Sequence, residues 1–238
     1  MTLAKEVATF DLVSEGRVEF GIGAGWMRQD YEGAGIHFDT PGVRIERMIE
    51  AVEIFKGLWT PAPFNFQGAH YSITELEGTP SPHQPGGPPI IIGGGGKRVL
   101  TEAAKRADIV GLNASLHAGS VGPETALSAL GERFLERRNW VEEAAGDRFP
   151  ELELQMNTFM TAVTSNTSEA DEMFEGMAPM FGLSPEQART IPMVLAGTVI
   201  DVCEQLEHYR DLYGTSYWVI HEGEVDAMAP VVAKMAGT

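Results

Sequence analysis

The chain has 238 residues, of which 43% are hydrophobic and 21% charged, and its formal net charge is −17. This length and composition are those of one globular domain, and the negative charge argues against a nucleic-acid or anionic-membrane partner because a polyanion would be repelled. A single cysteine excludes an internal disulfide framework. The sequence has no signal-peptide pattern and no apolar stretch near the roughly 20 residues of a membrane span, so it predicts a cytoplasmic protein.

The first quarter of the chain predicts two helices separated by a strand and a glycine-rich loop. The first helix is predicted from apolar residues at helical spacing, namely Leu3, Ala4, Val7, Ala8 and Phe10. Residues 17–26 (RVEFGIGAGW) predict a short strand that runs into the loop. Pro41 marks the start of the second helix. Its apolar stripe comprises Val43, Met48, Val52, Phe55 and Leu58.

Strands and helices alternate through the rest of the chain. A loop with a small hairpin is predicted at about 60–89, and strands are predicted in IIIGG, DIVGLN, LELQMNTFMTAVT and SYWVIH. Helices are predicted at 97–107, 124–145, 168–180 and 198–213, with a short helix at the end of the chain. Thr198 and Asp201 resemble a capping arrangement at the start of the last long helix.

This alternation predicts one α/β domain, residues 1–238, with a parallel sheet. Helices of about ten or more residues between the strands imply right-handed crossovers. Runs such as IIIGG and DIVGL are apolar on both faces, as a sheet covered by helices requires. The chain holds five βα units and shows no internal repeat or linker that would divide it.

Four consecutive glycines, Gly93–Gly96, end a predicted strand and open a helix, which is typical of anion sites. Glycine permits close backbone approach, so that N–H groups converge on an anion at the positive end of the helix dipole. Lys97 and Arg98 lie in the first turn, where the dipole favours acids, and a bound anion would compensate them. A simple turn with exposed basic residues is the alternative. A P-loop is excluded, because it requires Ser or Thr after Gly-Lys.

A second glycine-rich stretch, FGIGAGW, follows the first predicted strand. Gly21, Gly23 and Gly25 alternate, but Trp26 stands where the dinucleotide-binding fingerprint has glycine or alanine, and no helix starts at once. Such glycines let a flat ring or chain lie against the backbone, and they serve equally as turn residues. Trp26 either walls a ring pocket or fills the core.

The residue pattern favours neither a metal site nor a serine nucleophile. The six histidines show no ligand spacing, so we expect no metal, and no G-x-S-x-G elbow occurs. Cys203 lies on an apolar-leaning helix face and is expected to be a packed thiol. Asn113 and His221 stand at the ends of two predicted strands, the active face of a parallel barrel. They are candidate substrate residues, with surface turns as the alternative.

Several stretches together resemble one family. Residues 3–59, from LAKEVATF to EIFKGLW, look like the middle of a luciferase-like monooxygenase superfamily protein, and in particular of the coenzyme F420-dependent class of oxidoreductases. PPIIIGGGGKRVLTEAAKRADIVGLN, AAGDRFPELELQ and the ending LAGTVIDVCEQL…YGTSYWVI continue the likeness across essentially the whole chain. The resemblance implies a (β/α)8 TIM barrel whose cofactor lies across the C-terminal ends of the strands.

The resemblance also implies roles for individual residues. Family members use the loop that matches Gly93–Gly96, with the helix start at Lys97 and Arg98, around the cofactor's phosphate. The loop that matches Gly23–Trp26 lies near the cofactor chain in the family. FMN-dependent members typically carry an arginine that pairs with the FMN phosphate at the position of Ala24. Its absence here favours F420 as the cofactor, with FMN as the alternative.

The likeness begins in the helix after the family's third strand, so we expect an incomplete barrel of strands 4–8, from an incomplete gene start or a fragment. A partner chain over the gap and a degenerate remnant are the alternatives. The absent loops hold much of the family's proton-transfer apparatus, so no catalytic acid or base is assigned.

The function that this resemblance implies is F420-dependent hydride transfer between the deazaflavin and a small organic substrate. An FMN-dependent monooxygenase on the same scaffold is one alternative. A non-catalytic remnant or cofactor-binding protein is the other. The expected assembly is a homodimer.

Overall fold

Helices and strands alternate along the chain as the sequence predicts. The computed structural model describes residues 1–117, 119 and 122–237. The strands are β1 (Phe20–Ile22), β2 (Phe64–Gln67), β3 (Ser72–Leu76), β4 (Ile90–Gly94), β5 (Ile109–Leu112), β6 (Glu153–Asn157), β7 (Met160–Val163), β8 (Val194–Gly197) and β9 (Thr215–Val219). The α-helices are α1 (Thr2–Ser14), α2 (Arg28–Gly33), α3 (Pro41–Leu58), α4 (Lys97–Arg106), α5 (Pro123–Ser128), α6 (Gly131–Ala145), α7 (Thr167–Met177), α8 (Pro185–Arg189), α9 (Val199–Tyr213) and α10 (Val225–Met235).

Five of these strands form one parallel sheet in the order β1-β4-β5-β6-β9. They belong to the five predicted βα units, so the predicted α/β class with a parallel sheet is confirmed. Within the described residues the sheet is open, with β1 and β9 at its edges, and it does not close into a barrel. Because all five strands run in the same direction, their C-terminal ends lie along one edge of the sheet.

The open sheet is strongly curved. In a flat sheet the two edge strands would lie about 19 Å apart, since neighbouring strands are spaced by about 4.8 Å. The hydroxyl of Tyr217 on β9 nevertheless donates a 3.0 Å hydrogen bond to the carboxylate of Glu19, which directly precedes β1. This hydrogen bond raises the pKa of Tyr217, because the carboxylate stabilises the neutral phenol. The sheet therefore has the curvature of part of a barrel wall.

The two faces of the sheet differ in character. One face is covered by helices and carries fully buried aliphatic residues, including Ile90, Ile92, Val110, Leu112, Leu154 and Met156. On this face Phe20 of β1 packs edge-on against Phe55 of α3, with ring centroids 5.2 Å apart. The other face carries the paired row Gly93, Gly111 and Gln155, which are small or polar. The main core therefore lies between the sheet and the helices.

The predicted hairpin at about 60–89 is present as the antiparallel pair β2–β3. It packs on α3, where Phe64 occupies the space beside Gly57. The carboxylate of Glu50 on α3 accepts hydrogen bonds from the N–H groups of residues 69–71 at the hairpin turn. Burial alone would raise the pKa of Glu50, but these N–H groups bring it below its ordinary value.

The stretch LELQMNTFMTAVT is two strands, so the prediction of a single strand is wrong. The N–H of Thr158 donates to the Val219 carbonyl at 2.8 Å, whereas the N–H of Phe159 donates to the Met193 carbonyl at 2.6 Å. The chain thus changes partners between these two residues. The second half, β7, forms a separate parallel pair with β8, a strand that the sequence did not predict.

Several helix predictions also need correction. The predicted helix at 124–145 is interrupted, because α5 ends at Ser128 and α6 begins at Gly131. The predicted helix at 168–180 ends at Met177, and a 3-10 turn that contains Pro179 follows it. None of the helices in the described part of the chain has the length and apolar character of a membrane span.

Candidate functional site

A cavity of about 930 Å3 lies at the edge where the parallel strands end. Its walls include the segments that follow β1, β4, β5 and β6. Parallel α/β sheets bind ligands at this edge. The volume is near the upper end of the range of about 300–1,000 Å3 that is usual for small-molecule sites.

The four-glycine loop forms one wall of this cavity. A Cβ on Gly94 would lie 2.3 Å from a methyl carbon of Val99, and a Cβ on Gly95 would lie 2.4 Å from the Ala114 carbonyl oxygen. Gly96 is different, because no atom lies within 4 Å of the position of its Cβ. Packing therefore requires glycine at positions 94 and 95, whereas Gly96 leaves backbone open to a ligand.

Helix α4 begins directly behind this loop. Gly96 is its N-cap residue, and no side chain caps the helix. The N–H groups of a first helical turn have no partner within the helix, and together with the dipole they favour an anion. The predicted strand-glycine-helix arrangement is therefore present at the cavity.

Arg137, on α6, holds the same loop from the side of the protein core. It is only 4% exposed. Its Nε donates to the Gly95 carbonyl at 3.0 Å and one of its terminal nitrogens donates to the Ser128 carbonyl at 2.7 Å. Burial lowers the pKa of Arg137 to about 10, so its guanidinium stays charged at neutral pH. No motif in the sequence marks this residue.

The second glycine loop forms another part of the cavity wall, with Gly23, Ala24, Gly25 and Trp26. Gly25 has a φ of 74°, in the left-handed region that favours glycine, and a Cβ there would lie 2.1 Å from the Tyr31 hydroxyl oxygen. Trp26 is 37% exposed, so it walls the cavity and does not fill the core.

Arg44 of α3 holds this second loop. Its Nε donates to the Gly25 carbonyl at 3.3 Å, and a terminal nitrogen donates to the Asp39 carbonyl. The guanidinium also lies 4.0 Å from the centroid of the Phe38 ring, a cation–π distance. Arg28 lies over the same ring at 4.6 Å. Both arginines line the cavity, and neither was singled out from the sequence.

The charged residues of the lining leave it positive in a chain of net charge −17. In the described part of the lining they are Arg28, Asp39 and Arg44. The Asp39 carboxylate is paired with Arg47 at 2.8 Å and Arg28 lies 3.7 Å from the Glu32 carboxylate, so the excess positive charge comes from Arg44. A local excess of positive charge favours an anionic ligand.

Two of the predicted phosphate residues lie outside the cavity lining. The Arg98 guanidinium is 2.8 Å from the Glu46 carboxylate. The Lys97 ammonium lies 5.9 Å from the centroid of the Trp140 ring. The hydrogen bond from Arg98 lowers the pKa of Glu46. The charge of Arg98 is therefore compensated within the protein by Glu46, without a bound anion.

The structure places one of the two candidate substrate residues, Asn113, in the cavity wall and the other, His221, on the surface. Asn113 lines the cavity, and its amide nitrogen would lie 2.9 Å from a Cβ on Gly93. His221 is exposed and absent from the described lining, and its backbone N–H donates to the Glu224 carboxylate in a short 3-10 turn. This is the surface-turn alternative that the sequence left open.

Three polar residues of the lining were not singled out from the sequence. Ser115 and His117 follow β5, and their position after a predicted strand was the signal that could have found them. Asn157 ends β6, but it lies inside the single strand predicted for LELQMNTFMTAVT, so the sequence carried no such signal for it. Phe159 and Phe181 form part of an apolar wall, with ring centroids 6.0 Å apart. The cavity thus combines an apolar surface with a few polar groups, as ligand sites usually do.

Comparison with known proteins gives a family and several relatives. A sequence model of the luciferase-like monooxygenase family matches residues 1–178. An uncharacterised protein of Mycobacterium tuberculosis is 33% identical over 148 residues, which are 62% of this chain and 46% of that protein. The chain therefore spans less than half the length of this relative.

Two other relatives differ in the cofactor that their names state. An FMNH2-dependent dimethylsulfone monooxygenase of Pseudomonas fluorescens is 31% identical over 103 residues, 43% of this chain and 28% of that enzyme. An F420-dependent glucose-6-phosphate dehydrogenase of Amycolatopsis mediterranei is 30% identical over 106 residues, 44% of this chain and 31% of that enzyme.

Solved structures show the same fold at low sequence identity. An F420-dependent secondary alcohol dehydrogenase is 17% identical with a TM-score of 0.71, and the match covers 98% of this chain and 74% of that one. EDTA monooxygenase from Chelativorans is 14% identical with a TM-score of 0.73, covering 98% and 69%. The predicted luciferase-like TIM-barrel fold class is confirmed, with the described residues forming an open part of such a barrel. The chain belongs to the luciferase-like monooxygenase family.

Proposed function

We propose that the cavity binds a phosphorylated deazaflavin or flavin, and that the protein is an F420-dependent oxidoreductase. The observation that carries this proposal is the uncapped start of α4 behind Gly96, which opens into a cavity of cofactor size at the C-terminal edge of the sheet. Helix starts that follow glycine loops are common phosphate sites. The proposed substrate is a small organic molecule, and the proposed assembly is a homodimer.

The residues of the cavity fit such a cofactor in three ways. Gly23 and Gly96 have no atom within 4 Å of the position of a Cβ, so a ligand can approach the backbone at both loops. Arg28 and Arg44 supply positive charge close to the second loop. Trp26 supplies an aromatic surface against which a flat ring can pack.

When bound, the deazaflavin supplies the hydride chemistry, and the protein orients the reactants. The glycine loops fix the phosphate, and the apolar wall around Phe159 and Phe181 keeps water from the reacting groups. Asn113 and Asn157 offer amide donors and acceptors to the ring or the substrate. His117 brings an imidazole, whose ring nitrogens can donate or accept a hydrogen bond.

One observation favours FMN as a second candidate. The preference for F420 rests on Ala24, where FMN-dependent members of the family are expected to carry a phosphate-pairing arginine. The Arg44 guanidinium reaches the carbonyl of the next residue, Gly25, from another element. An arginine therefore lies close to this loop in the structure, although the sequence has alanine at position 24.

Calorimetric titration of the protein with F420 and with FMN tests the proposal. We expect F420 to bind at least about tenfold more tightly than FMN, a difference of about 1.4 kcal/mol. The reverse order would replace F420 by FMN, and binding of neither would reject the cofactor site.

The variant Arg44→Gln tests whether Arg44 contacts the FMN phosphate or only supports the loop. A loss of FMN affinity with F420 affinity unchanged would place Arg44 at the FMN phosphate, whereas equal losses would make it a support of the loop. Lys56→Gln is the matched control, because Lys56 lies on the same helix, donates to the Arg106 carbonyl and is absent from the described lining.

A further inference from the structure

We infer that Arg137 is a positioning residue for the cofactor's phosphate: it orients the Gly95–Gly96 peptide toward the ligand and supplies a positive charge behind it. This inference rests on the proposed function. It concerns a side chain that is absent from the described lining and lies in the core behind the loop.

The hydrogen bonds of Arg137 fix the direction of one peptide group. Its Nε holds the Gly95 carbonyl at 3.0 Å. The C=O and N–H of a trans peptide point in opposite directions, so the N–H of Gly96 is turned away from Arg137. Gly95 and Gly96 both line the cavity. The arginine therefore sets which way the last N–H before α4 points.

The same guanidinium also sets the position of a second wall. Its terminal nitrogen holds the Ser128 carbonyl at the end of α5. The Ser128 hydroxyl accepts a 2.8 Å hydrogen bond from the N–H of Ser115, which lines the cavity. Loss of the Arg137 hydrogen bonds would therefore loosen both walls and weaken the binding of any ligand. Loss of the Arg137 charge would weaken only the binding of an anionic ligand.

Among the described residues no carboxylate lies within ion-pair distance of Arg137, because both of its described acceptors are neutral carbonyls. The Glu136 carboxylate acts on Arg137 only at longer range and pairs with Arg133. Other arginines of the chain pair with carboxylates, among them Arg47, Arg98, Arg106, Arg138 and Arg189. A buried charge without a counter-ion is costly. A phosphate on the far side of the Gly95–Gly96 peptide would supply the missing negative charge.

The test compares phosphorylated ligands with their dephosphorylated forms. The quantity measured is the dissociation constant of the dephosphorylated form divided by that of the phosphorylated form. It is determined for the pair riboflavin and FMN, and for the pair dephosphorylated deazaflavin and F420. In Arg137→Gln we expect this ratio to fall about tenfold or more, since the charge acts across a short distance of low dielectric. The loss of loop contacts alone would weaken both forms of a ligand together.

Arg148→Gln is the matched control. Arg148 donates to the carbonyls of Ala104 and Ala107 at the other end of α4 and lies outside the described lining. Its loss removes the same kind of hydrogen bonds, so we expect stability to fall while the ratio stays unchanged.

The outcomes separate the two proposals. A wild-type protein without any preference for phosphorylated ligands would reject the proposed function itself. A wild-type preference that Arg137→Gln retains, or that Arg148→Gln loses equally, would overturn the role of Arg137. If Arg137→Gln does not fold, Arg137→Met, which removes the charge and keeps a long unbranched side chain, decides: a fall in the ratio supports the inference and an unchanged ratio overturns it.

Discussion

Two arginines hold the carbonyl groups of the two glycine loops. Arg44 donates to Gly25 and Arg137 donates to Gly95, and among the described residues neither has a carboxylate within ion-pair distance. Glycines free the backbone to approach a ligand, but they also leave it flexible. The arginines limit that flexibility, so a loop that can approach a phosphate is also fixed in place.

Gly96→Ser is expected to move stability and ligand binding in opposite directions. Serine is a better N-cap than glycine by a few tenths of a kcal/mol, and the backbone of residue 96 has the extended angles of an N-cap. Its hydroxyl would, however, occupy an N–H group of the first turn and project into the cavity. We expect a slightly higher Tm in thermal unfolding and at least about tenfold weaker binding of F420, the loss of a charge-assisted hydrogen bond.

Gly176→Ala is the control for this substitution, since Gly176 has no atom within 4 Å of a Cβ and lies on α7 outside the described lining. Its F420 affinity should equal that of the wild type. Unchanged binding in Gly96→Ser would remove the start of α4 from the phosphate site.

Asp11→Ala is expected to lower the free energy of unfolding by about 1.5–3 kcal/mol. The buried carboxylate accepts the N–H of Gln84 at 2.8 Å and the side-chain amide of Gln84 at 2.7 Å. Without it, buried donors would be left unpaired. Urea unfolding measures the loss, and exposed Asp211→Ala is the control, with an expected change within about 0.5 kcal/mol. Equal losses in both variants would contradict this role.

At the scale of elements, the starts of helices were easier to predict than their buried faces. The Thr198 and Asp201 cap of α9 is confirmed, because such caps depend on residues three apart in sequence. In α1, by contrast, Phe10 is 68% exposed and Asp11 is fully buried. The partner of Asp11 lies 73 residues away, so no pattern within the helix could show that this carboxylate faces inward.

The cap of α9 predicts a pH dependence of stability. Hydrogen bonds from the N–H and the hydroxyl of Thr198 lower the pKa of Asp201 below its ordinary value. A lowered folded-state pKa stabilises the protein above the unfolded pKa, and this contribution is lost as the pH falls through the folded-state pKa. The difference in stability between the wild type and Asp201→Asn should therefore be constant above about pH 5 and shrink toward pH 2. A difference independent of pH would contradict this assignment.

At the scale of the molecule, the position of the site could be predicted, but some of its groups could not. The glycine loops and Asn113 follow strands, and parallel strands end at one edge, so their proximity follows from the order of elements. Arg44 and Arg137 come from the middle of helices and reach the loops through tertiary packing. Tertiary packing also explains why Arg98 lies outside the described cavity lining, because its guanidinium pairs with Glu46 of α3.

A bound phosphorylated cofactor should stabilise the whole protein. Ligand at 100 times its dissociation constant adds about 2.7 kcal/mol, which for a chain of this size raises Tm by about 5–10 °C. Differential scanning fluorimetry with F420 and with its dephosphorylated form at equal concentration measures this. We expect the phosphorylated form to give the larger rise, and equal rises would contradict a phosphate site.

The most direct test of the central claim, that the glycine loops contact the cofactor, is the spectrum of the protein labelled with 15N-glycine. The chain has 27 glycines, and single substitutions assign the signals that matter. On addition of F420 we expect the largest shifts at Gly23, Gly25, Gly95 and Gly96, with Gly176 and Gly223 unchanged. Shifts confined to glycines away from the cavity, or none at saturating F420, would contradict it.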